Sequence, residues 1–420
     1  MTHESRHGNF IRRLEALTTS PLTGMPIFLA VMATVFWATF SLGSYPMEWI
    51  DAGVEWLGDF VRRVMPQGAL RDLISDGIIG GVGGVIVFLP NILILYFCIT
   101  FMEESGYMTR AAKMMDAPMR RLGINGRSFI PLIMGFGCNV PAIMSTKNIK
   151  SRSSRFITIL INPFMSCSAR LPVYVLLIGT FFPDHATLAF MTLYLIGVLV
   201  AIVTALLLRH LWFKGEDETF EIELPAYRMP GLKATLRGMW ATAAEYLHKM
   251  SGVILVASII MWALNYFPLH DEDSSVPAAE QAELKAKGGE SYLAMIGKAV
   301  NPVMEPLGFP WRATVAAIAG ISAKEITVST LGVLYTGDEE ATDNTLSARI
   351  TAPNPVTGEP DFTTASAWSF MIFILLYFPC VATVTAIVKQ TGHWGYGLFS
   401  VCYNTTVAWL MAFIAYQLLS

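Results

Sequence analysis

The chain has 420 residues, of which 54% are hydrophobic and only 15% charged, with a mean hydropathy of +0.50. That balance excludes an ordinary soluble enzyme and implies an all-α polytopic membrane protein. A net charge of −3 with short basic clusters leaves no nucleic-acid-binding face, and five cysteines, all in apolar segments, do not make a secreted disulfide framework.

The first ten residues, "MTHESRHGNF", are polar, so no cleavable signal peptide opens the chain. A bilayer core of about 30 Å needs roughly 20 apolar residues per helix. Runs of that kind cover 25–43, 77–101, 155–182, 185–209, 249–267, 366–388 and 395–419, which predicts about seven full transmembrane helices. Residues 45–72, with Trp49 and Trp56 as anchors, read as an interfacial amphipathic helix. Two further apolar segments, 128–146 and 311–335, are interrupted by Gly, Pro or charge and read as re-entrant or broken hairpins.

Arg12 and Arg13 before the first span, Arg110, Lys113, Arg120, Arg121 and Arg127 after the second, and the basic stretch 209–249 mark cytoplasmic loops. Asp271, Glu272 and Asp273, and likewise Asp338, Glu339, Glu340 and Asp343, fit the opposite side, and span counting puts Ser420 outside.

Shifting the sequence by 185 residues lays 107–145 on 292–330 without a gap, matching among others Tyr107/Tyr292, Lys113/Lys298, Gly123/Gly308, Arg127/Arg312 and Gly135/Gly320. After an inserted loop, Cys167 in "INPFMSCSAR" comes opposite Cys380 in "LLYFPCVATV". Where the first copy has Arg120 and Arg121 the second has Glu305 and Pro306, as an inverted repeat predicts. Inverted repeats whose broken helices meet at the midplane are the architecture of secondary transporters. The division predicted is 1–76 for an N-terminal segment with the first transmembrane and interfacial helices, 77–209 for the first repeat, 210–248 for a cytoplasmic loop and 249–420 for the second repeat.

The chemistry sits in the breaks. In "GFGCNVPAIMST" Gly135 and Gly137 free the backbone and Pro141 removes a donor, so carbonyls lose helical partners and must face protein or a water-filled space. Cys138 adds a soft sulfur and Asn139 an amide oxygen, with the thioethers of Met134 and Met144 nearby, a mixed set that suits a borderline ion such as Fe²⁺ better than Na⁺ or Mg²⁺. Cys167 follows Pro163 by four residues, and Cys380 follows Pro379 directly. The plain alternative for each cysteine is packing, and Cys98 and Cys402, in undisturbed runs, are assigned to it. His393 reads as an interfacial residue. Lys324, Glu325 and Arg170 lie in apolar surroundings where charge is costly and marks a pathway or a pair. Glu325 with Arg170 across the repeat interface is the expected pair, against a reading in which Lys324 sits at the membrane surface and Arg170 snorkels. Glu103 and Glu104 stand at a cytoplasmic mouth or a solvated helix end.

The segments "GGVGGVIVFLPNILIL", "EESGYMTRAAKMMD", "LIMGFGCNVPAIMSTK", "INPFMSCSARLPVY", "ISAKEITVSTLGVLY" and "FPCVATV" run in order across residues 20–420 and resemble the membrane domain of the FeoB family of bacterial ferrous iron transporters. The resemblance implies Fe²⁺ as transported substrate with no bound cofactor, two Gate-type repeats, the cytoplasmic inner membrane, and Cys138, Cys167 and Cys380 along the iron path. Family members usually begin with a cytosolic G domain. No G-x-x-x-x-G-K-[ST] occurs here, since Gly53 and Gly58 are followed by Asp59 and Phe60, so this chain alone is expected not to hydrolyse GTP. The G domain is then a separate polypeptide or was truncated, and the start at Met1 favours the former. Residues 1–20 and 209–249 are candidate docking surfaces for it, a small cytosolic accessory protein and oligomerisation are further possible partners, and lipid surrounds the chain. The competing readings are a nucleoside or other small-molecule carrier and a non-transporting membrane scaffold. No His accompanies the thiols locally, which argues against a thiol enzyme.

Overall fold

The computed structural model describes residues 20–66, 68–212, 230–267, 291–336, 343–353 and 360–420. Arg12, Arg13, Asp271, Glu272, Asp273, Asp338, Glu339 and Glu340, together with 1–19 and 213–229 of the proposed docking surfaces, lie outside the described residues. The described residues form helices and no strand, with one isolated bridge between Pro353 and Pro360. Among the described residues six helical stretches are long and apolar enough to cross a membrane, as a multi-pass all-α protein requires. The seventh expected span lies in a 35-residue helix whose apolar half is Ser251–Tyr266.

Helix α1 (Pro21–Val64) runs 44 residues without interruption through Pro26 and Pro46. At 1.5 Å per residue it is about 66 Å long, well beyond a hydrocarbon core. The stretch expected as a separate interfacial helix therefore continues the first span, with Trp49 and Trp56 exposed on it. A π-helical turn (Leu73–Gly80) leads into α2 (Gly81–Val87) and α3 (Leu89–Glu104), which packs on α1.

Two sets of elements follow in the same order. The first is α4 (Tyr107–Met114), α5 (Asp116–Arg121), α6 (Phe129–Gly135), α7 (Asn139–Ser145), α8 (Arg152–Ile161), α9 (Leu171–Phe181) and α10 (Ala186–Leu211). After α11 (Leu232–Tyr266) the second is α12 (Tyr292–Met304), α13 (Trp311–Ala319), α14 (Ile326–Thr336), α15 (Asp343–Thr351), α16 (Thr364–Leu376), α17 (Val381–Thr391) and α18 (Trp394–Leu419). The repeat read from the sequence reappears in the backbone: Gly123 and Gly308 both take left-handed conformations, at φ 74° and 76°. Helices α6 and α7 pack on each other, as do α13 and α14, so each broken segment folds back as a hairpin. Each set also contains one broken pair, α8 with α9 and α16 with α17, and one unbroken 26-residue helix, α10 or α18.

Helix α16 is the centre of the core. Every residue from Ser369 to Tyr377 is buried, among them Phe370, Phe373 and Leu375, and Phe309 and Phe362 meet its rings edge-on. In lipid there is little hydrophobic drive between helices, so close approach through small residues does the work. Helix α18 supplies it by burying Gly397, Ser400, Asn404, Ala408 and Ala412 at helical spacing, and Ser369 Oγ donates to the Ala412 carbonyl at 3.0 Å.

Candidate ion path

The four breaks define the site. Helix α6 ends at Gly135 and α7 restarts after Cys138, whose extended backbone (φ −152°, ψ 132°) makes it the N-cap. Pro141 does not interrupt a helix as the sequence reading supposed. It occupies the first turn of α7, where an N–H would have no intrahelical partner in any case, so the glycines make the break and the proline starts the next helix. Helix α8 ends at Ile161, a tight turn at Asn162–Phe164 takes up Pro163, and Cys167 caps the short turn Ser168–Arg170 that opens α9. In the second copy Tyr377–Cys380 separates α16 from α17, Pro379 lies within that extended segment, and Cys380 is the N-cap of α17. Each of the three thiols thus stands at the start of a helical segment, where the backbone N–H groups present partial positive charge to a thiolate.

The breaks are tied together in pairs, and the ties repeat. The Gly137 carbonyl accepts from Ser168 N at 3.3 Å and Ser168 Oγ at 3.0 Å, and the Ile321 carbonyl accepts from Val381 N at 3.1 Å. Ser168 and Val381 each follow the repeat's equivalent cysteine directly. Gly135 lies against Asn162 and Met165, and its partner Gly320 against the hydroxyls of Thr327 and Tyr377, so a methyl group at either position would wedge the paired breaks apart.

Asn139 is 5% exposed, and its amide nitrogen faces three acceptors, the carbonyl of Gly135 at 3.2 Å and the carbonyl and side-chain oxygen of Asn162 at 3.3 and 3.1 Å. Asn162 in turn donates to the Pro131 carbonyl at 2.9 Å. The amide of Asn139 is therefore a clamp on the break. Its oxygen is the group left for a ligand.

Arg170 is 0% exposed and is not paired with Glu325 as expected. Its guanidinium donates to the carbonyls of Met165 at 3.2 Å and Pro163 at 3.1 Å, because the turn after α8 leaves those oxygens without helical donors. Nor does Lys324 sit at a membrane surface. It is 3% exposed, donates to the Phe378 carbonyl at 2.6 Å, and lies 3.3 Å from the centre of the Tyr377 ring. Glu325 is half-buried beside it.

The structure brings the singled-out groups together. Cys138 lies within electrostatic reach of Cys380, Cys167 and Glu325, and Cys167 within reach of Cys380, Arg170, Lys324 and Glu325. All three thiols keep partial exposure, as do Ser168, Ala169, Ile321, Ser322, Ala323 and Phe378 in the same breaks. Backbone opened in this way inside a membrane protein must face protein or a water-filled space. Cys380 Sγ is 3.0 Å from Thr383 Oγ1. Among the described residues no three His, Cys, Asp or Glu side chains converge closely enough to hold a metal ion. The thiols make a string of single sulfur sites, and any ion on it would need carbonyl oxygen or water to complete its shell.

Other expected residues take plainer places. Met134 and Met144 are buried in apolar clusters, Cys98 packs on the main core and Cys402 is exposed. Glu104 accepts from Thr235 at 3.0 Å. His393 caps α18 by accepting from Gly395 N at 3.1 Å, and borders a pocket of about 350 Å³ with Trp212, Tyr396 and Phe399 at the ends of α10 and α18. Sequence reasoning missed Asn162, Ser168 and the Phe378 carbonyl. The residue before a proline and the residue after a break cysteine were the available signals for the first two.

The Gate family, described as nucleoside recognition, matches residues 85–181 and 247–394, and the family described as Ferrous iron transport protein B C terminus matches 190–241. The "Fe(2+) transport protein A/Fe(2+) transporter FeoB fusion protein" of Porphyromonas gingivalis is 48% identical over 97% of this chain and 51% of its own length. The "Fe(2+) transporter FeoB" proteins of Campylobacter jejuni and Staphylococcus aureus (strain COL) are each 38% identical, over 99% and 97% of this chain and 66% and 59% of theirs. The chain belongs to the FeoB family. It spans about half to two-thirds of the length of these curated relatives. No solved structure matches it.

Proposed function

We propose that this FeoB-family chain forms the path by which Fe²⁺ crosses the cytoplasmic membrane inward, passing Cys138, Cys167 and Cys380 between two Gate repeats. The observation that carries the reading is the gathering of three thiols from three separate breaks, each at the start of a helical segment and each partly accessible. The relatives' names as Fe²⁺ transporters support the choice of ion. A thiolate strengthens its hold on a borderline cation while single sulfur sites keep that hold weak enough for release. An inside-negative potential contributes about 2.3 kcal/mol per charge per 100 mV, so a divalent ion gains about 4.6 kcal/mol on entry at that potential. Transport can therefore run downhill, and a GTPase, supplied in trans, would gate the path rather than drive each step.

The test is Fe²⁺ entry into anaerobic vesicles holding the chain under an imposed inside-negative potential. Entry that falls about tenfold or more in Cys138→Ser, with the variant eluting as a folded protein, supports a sulfur-lined path. Entry unchanged in Cys138→Ser, or no entry with a nucleotide-hydrolysing partner present, overturns it. The Gate family's description leaves a nucleoside carrier as the second reading, and such a carrier would be insensitive to the thiol.

A further inference from the structure

Lys324 is the least expected group in the molecule. An ammonium in a protein interior usually has a carboxylate partner, because desolvating a charge without one costs several kcal/mol. Among the described residues no carboxylate lies within ion-pair distance of Lys324. It is held instead by the Phe378 carbonyl at 2.6 Å and the face of Tyr377 at 3.3 Å. Those partners are a lone carbonyl oxygen from a helix break and an aromatic face, and both belong to the same four-residue break that presents Cys380. A carbonyl freed by a helix break is also the kind of oxygen a partly dehydrated metal ion would take from this backbone. The ammonium stands where the ion would.

The repeat sharpens the point. The 185-residue shift pairs Lys324 with Asn139, and the cysteine alignment pairs Phe378 with Met165. In the first copy the neutral Asn139 clamps its own break, and the Met165 carbonyl is held by Arg170, whose guanidinium also holds Pro163 and is locked at both ends. In the second copy the carbonyl is held by a single bond from a side chain with four rotatable bonds. Arginine's planar fork fixes a structure, whereas lysine's point charge on a flexible stem can let go. Ser322 and Ala323, next to Lys324, are half-exposed.

We infer that Lys324 is a tethered cation that occupies the carbonyl site beside Cys380 in the resting path and is displaced by the metal ion that takes its place. The inference rests on the ion-path reading above and adds a gate to it. Occupancy of the Phe378 carbonyl by ammonium or by metal is mutually exclusive, so the resting charge excludes other cations and only an ion that also gains the Cys380 sulfur replaces it. Binding of a divalent ion is then coupled to withdrawal of Lys324, a reciprocal linkage.

Two measurements test this. In vesicles under an imposed potential, Lys324→Met and Lys324→Gln should raise Fe²⁺ entry in the absence of any partner by about tenfold or more over the unsubstituted chain, since a like charge a few ångström from a divalent ion is removed, and should also admit Mn²⁺. Lys324→Arg keeps the charge on a side chain that lets go less readily and should stay at or below the unsubstituted rate. If the unsubstituted chain admits Fe²⁺ and neither neutral variant admits it faster, the tether is wrong and the path survives. If no form admits Fe²⁺ even with a nucleotide-hydrolysing partner, both fail. The second measurement needs no variant: the unsubstituted chain is treated with an amine-acetylating reagent, with and without saturating Fe²⁺ under anaerobic conditions, and Lys324 is read by mass spectrometry. Acetylation that rises at least severalfold with Fe²⁺, while surface lysines stay constant, supports displacement. Equal acetylation overturns it.

Discussion

Replacing Asn139 tests the claim that the first break is held by one side-chain amide. Its nitrogen serves the carbonyls of Gly135 and Asn162 and the Asn162 side-chain oxygen within 3.3 Å, at a site 5% exposed. Asn139→Ala strands the Gly135 carbonyl, at about 1–3 kcal/mol when left without a donor in a buried place, while the Asn162 carbonyl keeps its bond from Met165 N at 2.9 Å. Water reaching the half-exposed Cys138 next door relieves part of that, so the expected loss is about 1–2 kcal/mol. Asn139→Asp is nearly isosteric but sets a carboxylate against three oxygens and should be worse than alanine. The assay is the unfolding midpoint in detergent, followed by tryptophan fluorescence over a denaturant series. A loss below about 0.5 kcal/mol in Asn139→Ala, or an aspartate variant no less stable than alanine, would refute the clamp.

Gly308→Ala should cost about 2–4 kcal/mol in the same assay, because the added methyl meets the Tyr416 ring and the residue is held at φ 76°, whereas Gly84→Ala, which meets nothing within 4 Å, should be near neutral. Thr363→Ala removes one side of the capping box that starts α16 and should lower stability by about 1 kcal/mol. Asp361→Ala removes the acceptor of the mostly buried contact to Arg312 at 2.9 Å and of the Tyr335 bond, and a loss of about 3 kcal/mol is expected, visible as a shifted unfolding midpoint insensitive to salt. Cys98→Ser should leave Fe²⁺ entry unchanged, which a rate measurement beside Cys138→Ser will show.

What the sequence alone settled was set by composition and period. A chain this apolar must satisfy its backbone internally, so long apolar runs become helices, and Gly or Pro placed inside such runs marks where the backbone opens. The eight-position match between 107–145 and 292–330 was enough to find two copies, because like segments fold alike, down to the left-handed Gly123 and Gly308. The same reasoning singled out Cys138, Cys167 and Cys380 as candidates, since a thiol beside a break stands out from one in an even run. Where the partners of charged groups lie was decided only by the tertiary structure. Glu325 and Arg170 looked like a pair because opposite charges in lipid usually find each other, yet the breaks had freed carbonyls closer at hand, and these took up Arg170 and Lys324. A backbone oxygen carries no signature in the sequence that says which side chain will reach it. That choice depends on how the two breaks of each copy are brought together, through contacts such as Ser168 with Gly137 that span 31 residues and no local pattern encodes.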